Sequence, residues 1–314
     1  MKLALFDDYV PGVIKDDRII DLGSVVGHAV TDLRPRYRMP AIISDFDKLR
    51  DRIADAATGH GKPLADVKLR APLPQPIKML FGIGNYKENI VTPNRPLELF
   101  LKAPSTILDP GGTVVLPAAH DPFIFHHEAE LGLVVGKRGK DISEADAMSH
   151  IFGYMCIIDV SARGLGDGVG FRGKNFDTFC PMGPWIVTRD EIPNPHKLSV
   201  KLWVDGQLRQ DYNTDDMEHP IPELINWASR LETLEVGDVF ACGTNHQGLG
   251  PLQDGETATI EVEGVGKMSI RISDSLKRKW PVGIDRSMGQ AVRTMRETGK
   301  LPAPEEMFKT RRIA

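Results

Sequence analysis

Two acidic side chains, Glu128 and Glu130, have the spacing in this sequence that most clearly indicates chemistry. They lie two positions apart in the run from Phe125 to Val135, so a strand would place both carboxylates on one face. The run is wholly apolar after Glu130, which predicts that the strand is buried. Two like charges buried a few ångströms apart must share a proton or bind a cation, because an unpaired charge is costly to bury.

Asp159 supplies a third carboxylate, at the end of another short apolar run that begins at Phe152. If the two runs are neighbouring strands, Glu128, Glu130 and Asp159 form one ligand set that contains only oxygen atoms. Such a set suits the hard cations Mg²⁺, Mn²⁺ or Ca²⁺ better than zinc, which prefers cysteine and histidine. The spacing alone also fits a solvated strand edge that carries acidic residues, and both interpretations stay open at this point.

The elements that must position these carboxylates are mainly strands. The chain has 314 residues, of which 41% are hydrophobic, and this is enough for one large domain with a small appendage. The proline-rich run from Ala71 to Pro76 is a stiff connector, so we predict a small α/β domain at residues 1–72. On the metal interpretation, we expect residues 73–275 to be the metal-dependent catalytic domain, with residues 276–314 as a basic C-terminal extension.

Local signals predict the turns and the few helices. Asp205-Gly206 between two strand-like runs predicts a two-residue hairpin. A helix is predicted where apolar residues recur at helical spacing after Ser44, which resembles the first residue of a capping box. Further helices are predicted at 143–149 and at 222–230, where a proline occupies the first turn. The expected fold class is α+β, with strands predominating.

The charge is unevenly distributed along the chain. The net charge of −4 gives no reason to expect a nucleic-acid partner. From Ser275 onward there are ten Lys and Arg against four Asp and Glu, so a tail of about +6 balances a body of about −10. We expect the tail to dock on the body or on a second subunit, or else to be a solvated basic helix with a loose end.

The cysteines and the hydropathy pattern indicate the cellular setting. Cys156, Cys180 and Cys242 are widely spaced among apolar residues or glycine, which fits neither a disulfide framework nor a zinc site. No apolar run approaches membrane-spanning length, and the first residues do not resemble a signal peptide. A soluble, cytoplasmic protein without a membrane partner is therefore expected.

Gly168, Gly170 and Gly173 with Lys174 satisfy two phosphate-binding patterns at once, but the surrounding sequence argues against both. A Walker loop needs Ser or Thr where Asn175 stands, and both patterns must open a helix, which the following residues do not favour. We interpret the glycines as a mobile loop beside the metal. Lys174 could stabilise an enolate or a carboxylate there, and a surface cation is the alternative.

Two further loops carry candidate residues. Gly243 and Thr244 begin a glycine-punctuated loop whose amides and hydroxyl could hold a carboxylate, and a plain turn is the alternative. His246 in this loop could carry a proton, like His126 and His127, although a lone histidine more often makes structural hydrogen bonds. The polar residues 82–89 follow an apolar strand, and sites are often built at such strand ends.

Taken together, these segments resemble the fumarylacetoacetate hydrolase family in its acylpyruvate-hydrolase form. The resemblance runs from about Ile77 to Ile272, roughly two thirds of the chain. It is carried by short runs in a fixed order, namely Gly84-Asn85-Tyr86, Phe100 to Ser105, Glu128 to Leu131, Gly153-Tyr154, Asp159 to Arg163, Lys174 with Asp177, Pro181 to Pro184, Gly237-Asp238 and Gly243-Thr244. The resemblance implies a mostly β, roll-like catalytic domain that is commonly dimeric, so we expect a homodimer.

The resemblance also implies the chemistry of the site. Glu128, Glu130 and Asp159 fall on the family's Mg²⁺ or Mn²⁺ ligands. The implied substrates are 1,3-diketo or 2-keto acids, which chelate the metal so that it stabilises the enolate left when a C–C bond breaks. The residues expected to contact or surround the substrate are Lys174, Tyr86, Asn89, Gly243 and Thr244.

Two departures from the family pattern limit what is implied. Family hydrolases place a histidine three residues after the Asn-Tyr pair and a glutamate three residues later, and this dyad generates the attacking hydroxide. Here these positions are Asn89 and Thr92. The family's Arg-Asp-x-Gln after the metal aspartate has become Arg163-Gly164-Leu165-Gly166. The replacement base is expected among Glu88, His126, His127 and His246, with Glu88 and His127 as the catalytic candidates beside Lys174.

Three functions remain for such a chain. The leading hypothesis is a divalent-metal-dependent hydrolase that cleaves a C–C bond in an acylpyruvate-like diketo acid through a metal-stabilised enolate. The second is a lyase of the same family, either a 2-keto-3-deoxy sugar-acid dehydratase or a β-keto acid (oxaloacetate) decarboxylase, because decarboxylation needs an electron sink and no hydroxide. The third is an inactive metal- or ligand-binding relative.

Overall fold

The computed structural model describes residues 1–92, 94–165, 171–300 and 302–308. Its strands are β1 (Lys2–Phe6), β2 (Val10–Lys15), β3 (Arg18–Asp21), β4 (Lys62–Pro63), β5 (Leu69–Arg70), β6 (Met79–Gly82), β7 (Leu99–Leu101), β8 (Ile107–Leu108), β9 (Thr113–Val115), β10 (Ile124–His126), β11 (Ala129–Val135), β12 (Ile151–Ile158), β13 (Ser161–Arg163), β14 (Cys180–Thr188), β15 (Ser199–Val204), β16 (Gln207–Asn213), β17 (Val239–Ala241), β18 (Thr257–Val262) and β19 (Gly266–Ser273). Its α-helices are α1 (Gly23–Val26), α2 (His28–Thr31), α3 (Pro35–Ser44), α4 (Phe46–Ala56), α5 (Glu144–Ala147), α6 (Phe171–Lys174), α7 (Ile221–Leu231), α8 (Ser287–Thr298) and α9 (Pro304–Met307). Strands account for 32% and helices for 27%, which confirms a mixed fold in which strands predominate. None of the helices in these ranges is long and apolar enough to cross a membrane.

Most strands join one large sheet, in the order β4-β3-β2-β1-β14-β12-β11-β17-β6-β7. β5 pairs with β1 at the side of this path, and β8 pairs with β14. The N-terminal strands extend the sheet because β1 pairs antiparallel with β14. A second sheet has the order β16-β15-β18-β19-β9, and β10 and β13 form a short ribbon. The domain boundaries at residues 72 and 275 stay predictions.

Residues of β11 pack alternately into two separate apolar cores. Leu131 packs in one core with Leu202 of β15, whereas Val134 packs in the other with Ile53 of α4. All seven residues of the strand are buried, as the sequence predicted for this apolar run. Because side chains alternate along a strand, Glu130 faces the same side of the sheet as Val134.

The run from Phe125 to Val135 is two strands rather than the single strand predicted. His127 and Glu128 separate β10 from β11. The break arises because the chain changes its pairing partner: β10 pairs with β13, whereas β11 pairs with β12. Glu128 therefore lies just before the strand that contains Glu130.

Most of the local predictions are confirmed. The Asp205-Gly206 turn joins β15 to β16, and both residues have the positive φ typical of a type I′ hairpin. α7 contains a proline in its first turn, and Ser143 caps α5, although that helix ends at Ala147. The predicted capping box at Ser44 is wrong. Ser44 is the last residue of α3, and its hydroxyl donates to Pro40 O at 2.9 Å.

The described part of the C-terminal extension is docked on the body. Trp280, Val292 and Phe308 are at most 4% exposed. The indole Nε1 of Trp280 donates to Phe123 O at 2.6 Å, and the ring of Phe123 stacks on that of Phe308. Docking on the body, one of the alternatives for this tail, is thus what the structure shows for residues 276–300 and 302–308.

Candidate metal centre and active site

Glu128, Glu130 and Asp159 meet where β11 begins and β12 ends. The pairing of Ala129 with Ile158 sets Asp159 beside the start of β11, and Asp159 N donates to Glu128 O at 2.8 Å. One carboxylate oxygen from each of the three residues lies within 4.8 Å of the others. The three residues are at most 4% exposed, which rules out a solvated strand edge. We call these three residues the carboxylate trio.

Three cationic side chains neutralise part of the trio's charge. Lys174 Nζ donates to Glu128 Oε2 at 2.5 Å and to Asp159 Oδ2 at 2.7 Å. Lys102 Nζ donates to Asp159 Oδ1 at 2.7 Å, and Arg163 Nη2 donates to Glu128 Oε1. Burial alone would lower the pKa of Lys174, but the two carboxylates raise it above its ordinary value, so this lysine is a cation at neutral pH.

Lys174 is the last residue of α6 and only 5% exposed, so it is not a surface cation. Its ammonium group reaches both strands that carry the trio. The glycine loop predicted to precede it, at Gly168 and Gly170, lies outside the described residues.

Glu130 is the member of the trio with the least compensation. Its Oε2 accepts a hydrogen bond from Gly243 N at 2.7 Å, and no cationic side chain in the described ranges pairs with it. Burial raises the pKa of Glu130 well above its ordinary value, and the charges of Asp159 and Glu128 raise it further. Burial acts in the same direction on Glu128, but Lys174 and Arg163 together with weaker contributions outweigh it and hold the pKa of Glu128 low. A divalent cation supplies the missing positive charge, so these donors fit Mg²⁺ or Mn²⁺.

Lys102 is a functional residue that sequence reasoning did not single out. It follows β7, its side chain is fully buried, and its Nζ also donates to the main-chain oxygen of Lys174. Lys102 therefore ties Asp159 to the segment that carries Lys174. A lysine after a short apolar strand gives no local sign of such a contact, apart from its place in the family-like run 100–105.

We expect Lys102→Met to weaken Mn²⁺ binding by about 10- to 100-fold, because Asp159 loses the group that orients it. Isothermal titration with MnCl₂ measures this affinity. Lys137→Met, at an exposed site outside the trio's contacts, is the matched control. Unchanged affinity in Lys102→Met would show that Asp159 is oriented without Lys102.

Glu88 and His246 form a buried pair of carboxylate and imidazole. Glu88 Oε1 lies 2.5 Å from His246 Nδ1 and accepts from His246 N at 3.0 Å. Glu88 is 1% and His246 7% exposed. Burial raises the pKa of Glu128, whereas the charges of Lys174, Arg163 and, more weakly, His246 lower it. His246 therefore interacts electrostatically with the trio. A carboxylate bound at Nδ1 leaves Nε2 as the atom that can accept a proton.

The loop that carries Glu88 has a strained backbone. Glu88 and Asn89 have φ values of 57° and 60°, a conformation that costs non-glycine residues about 1 kcal/mol or more. Partners hold Glu88 on both sides: its N donates to Asp216 Oδ2 at 2.9 Å, and Gln247 Nε2 donates to its O at 2.6 Å. The pair with His246 is thus built by contacts distant in sequence.

The other two candidate histidines point elsewhere. His127 Nδ1 lies 3.0 Å from Gln210 Oε1, its buried Nε2 has no partner among the residues described, and burial lowers its pKa to about 3. Arg163 Nε donates to His126 Nδ1 at 3.2 Å, so the ring proton of His126 lies on Nε2 and is shared with Asp285 Oδ2 at 3.0 Å. Neither ring is hydrogen-bonded to a trio carboxylate in the described structure. The role of His127 as base stays a prediction.

Tyr86 and Asn89 are placed differently from each other. Tyr86 is fully buried, its ring packs edge-on to Tyr212 at 4.9 Å, and its hydroxyl has no partner within the described ranges. Asn89 is exposed and lines a surface cavity with Gln247. The structure does not bring Asn89 to the trio. The proposed substrate contacts of both residues stay predictions.

Gly243 and Thr244 bond to residues at the start of β11, Gly243 to Glu130 and Thr244 to Ala129. Thr244 Oγ1 donates to Ala129 O at 2.9 Å and accepts from Gln210 Nε2 at 2.8 Å. Gln210, which sequence reasoning missed, also accepts from Ala129 N at 3.0 Å. These bonds fix the strand that carries Glu130. Substrate binding by Gly243 and Thr244 stays a prediction.

Comparison with known proteins agrees with this site. The family model described as fumarylacetoacetate (FAA) hydrolase C-terminal matches residues 82–273. A maleylpyruvate hydrolase of Aquipseudomonas alcaligenes is 32% identical over 294 residues, which cover 87% of this chain and 99% of that protein. An oxaloacetate tautomerase of Bacillus subtilis is 37% identical over 227 residues, which cover 67% of this chain and 74% of that protein.

A solved structure is also similar over nearly its whole length. The crystal structure of maleylpyruvate hydrolase from Sphingobium sp. SYK-6 in complex with manganese(II) and pyruvate has a TM-score of 0.78 and 37% sequence identity. The match covers 87% of this chain and 99% of that one. With the buried carboxylate trio in place, the present chain belongs to the fumarylacetoacetate hydrolase family and is one of its enzymes.

Proposed function

We propose that this enzyme is a divalent-metal-dependent hydrolase that cleaves a C–C bond in an acylpyruvate-like diketo acid such as maleylpyruvate. The observation that carries the proposal is the Glu88–His246 pair, because hydrolysis needs a base that decarboxylation does not. Similarity to two maleylpyruvate hydrolases, one of them bound to manganese and pyruvate, supports it. The homodimer stays a prediction, which analytical ultracentrifugation would test.

The residues of the trio would hold Mg²⁺ or Mn²⁺, which supplies a Lewis acid for the oxygens of a keto acid. In this proposal, Lys174 donates to the negative charge of the substrate. His246 Nε2 accepts a proton from water, and Glu88 stabilises the resulting imidazolium through Nδ1. The family's usual base position, Asn89, has no part in this proton transfer.

The bonds change in two steps. The oxygen of water adds to the acyl carbonyl carbon as its proton moves to His246 Nε2. The adjacent C–C bond then breaks, its electron pair remains with the three-carbon fragment as an enolate, and protonation gives pyruvate. From maleylpyruvate the products are pyruvate and maleate in equal amounts.

Product analysis tests this proposal. Purified protein with Mn²⁺ is incubated separately with maleylpyruvate, acetylpyruvate, oxaloacetate and a 2-keto-3-deoxy acid, with EDTA-treated protein as the control. We expect pyruvate with an equal amount of maleate or acetate, and only when metal is present. Carbon dioxide from oxaloacetate as the main product would instead indicate a decarboxylase, and a dehydrated keto acid would indicate a dehydratase.

A second candidate reaction is oxaloacetate tautomerisation. The similarity to a tautomerase of Bacillus subtilis favours it. Enzymatic interconversion of keto and enol oxaloacetate, without pyruvate release from any diketo acid, would replace the hydrolase proposal. If none of the four compounds reacts, the result would favour an inactive metal- or ligand-binding relative.

A further inference from the structure

Helix α8 lies outside the segment 82–273 that matches the family model, yet it packs against the turn that begins at His246 and donates a hydrogen bond to the main chain two residues before Glu88. We propose that α8 is part of the active site, with Gly289 and Arg296 as positioning residues that fix the two members of the base pair relative to each other. This inference rests on the proposed function, because it assigns the helix to the base of that reaction.

Gly289 provides the contact with the histidine. A Cβ atom at this position would lie 3.3 Å from Gln247 Cα and 3.5 Å from His246 O. The backbone of α8 therefore packs directly against the 3₁₀ turn His246–Gly248. A Cβ atom here would be tight against Gln247 Cα, so the turn or the helix would have to shift by a few tenths of an ångström.

Arg296 provides the contact with the segment that leads to Glu88. Its Nη1 and Nη2 donate to Glu218 Oε1 and Oε2 at 3.0 and 2.6 Å, and Nη2 also donates to Tyr86 O at 2.8 Å. Tyr86 lies two residues before Glu88, and Glu218 N donates to Asn85 O at 3.0 Å. Arg296 bonds to Tyr86 and its partner Glu218 bonds to Asn85. The ion pair thus fixes the main chain just before the strained residues Glu88 and Asn89.

The buried position of this ion pair argues for a geometric role. The side chains of Arg296 and Glu218 are each 1% exposed. A buried ion pair is weak evidence for stability, since replacing both partners by apolar residues is often neutral, whereas removing one partner leaves a buried unpaired charge. Gly289 and Arg296 are seven positions apart and share one face of the helix with buried Val292, whereas Arg293 is 50% exposed. The inward face is therefore the one that packs against the segments carrying His246 and Glu88.

The turn before α8 is connected to the carboxylate trio by a chain of hydrogen bonds. Asp285 bonds to His126, which accepts from Arg163, and Arg163 donates to Glu128. The C-terminal extension thus contacts the surroundings of both the trio and the base. This gives the basic tail a function beyond covering the body.

A double-mutant cycle tests the inference with kcat for maleylpyruvate hydrolysis. We expect Arg296→Met to lower kcat by about 10- to 100-fold, as a small misplacement of a base does, with KM and Mn²⁺ affinity unchanged. In the His246→Ala background the same change should have little further effect, because no base remains to be positioned. Arg293→Met, on the exposed face of the same helix, is the matched control and should keep the wild-type kcat.

Gly289→Ala is the second variant, since alanine is the better helix former and should not prevent folding. It is expected to lower kcat several-fold without lowering the melting temperature. Equal losses from Arg296→Met in both backgrounds, or a wild-type kcat in Gly289→Ala, would overturn the role of α8 and leave the proposed function standing. A wild-type kcat in His246→Ala would overturn the assignment of His246 as the base, and the role of α8 with it, although the protein would still be a hydrolase.

Discussion

Glu130→Ala is expected to abolish both divalent-metal binding and turnover. Glu130 is the member of the trio that lacks a cationic partner in the described structure, and its raised pKa shows that its charge is uncompensated until a metal binds. Changes to residues that merely orient a ligand cost about 10- to 100-fold in metal affinity, so loss of a ligand should cost more. Glu130→Gln is the matched variant, because it can still accept from Gly243 N but carries no charge.

The readout for Glu130 does not depend on activity. A ligand that binds only the folded state at about 100 times its Kd stabilises it by about 2.7 kcal/mol, so the melting temperature of the wild type should rise with MnCl₂. Both Glu130 variants should show no such rise. Glu144→Ala, which removes an exposed carboxylate on α5, should behave as the wild type. A preserved manganese-induced rise, or turnover that persists in EDTA, would contradict the metal role of Glu130.

The trio could be predicted from sequence because its geometry depends on local patterns. Alternation places Glu128 and Glu130 on one side, and an acidic residue after a neighbouring strand falls at the same edge of the sheet. The predicted grouping survives even though Glu128 lies just outside β11, because Ala129 pairs with Ile158 and Asp159 N bonds to Glu128 O. The Asp205-Gly206 hairpin and helices α5 and α7 followed from turn residues and helix-start signals in the same way.

The base could not be predicted, because it depends on contacts between distant segments. Glu88 and His246 are 158 residues apart, and no periodicity relates them. His127 and His246 look equivalent in the sequence, since both are histidines near candidate residues. Only the packing of β17 beside β6 brings the loops that follow these two strands together.

The C-terminal extension is another region where the sequence alone does not identify the contacts that matter. Composition identifies a basic tail, but Arg293 and Arg296 are indistinguishable in it. One is half exposed, whereas the other is buried in an ion pair with Glu218. Ser44 failed as a helix start for a related reason, because the preceding helix extends through it. Side-chain roles that depend on tertiary partners cannot be read from spacing.

His246→Ala is expected to lower kcat for hydrolysis by about 10²- to 10⁴-fold, the usual contribution of a positioned base. The affinity for Mn²⁺ should stay unchanged, because His246 has no hydrogen bond to the trio in the described ranges. Glu88→Gln should also lower kcat, since an amide cannot stabilise the imidazolium. His28→Ala, at an exposed histidine of α2, is the matched control.

The comparison with His127→Ala decides which histidine is the base. His127 bonds to Gln210, which also holds Thr244 and the start of β11, so its loss should affect substrate affinity or stability more than proton transfer. We therefore expect a smaller fall in kcat for His127→Ala than for His246→Ala, measured at saturating maleylpyruvate and Mn²⁺. The opposite order would move the base to His127, and equal wild-type rates in both would mean that water is activated without either imidazole.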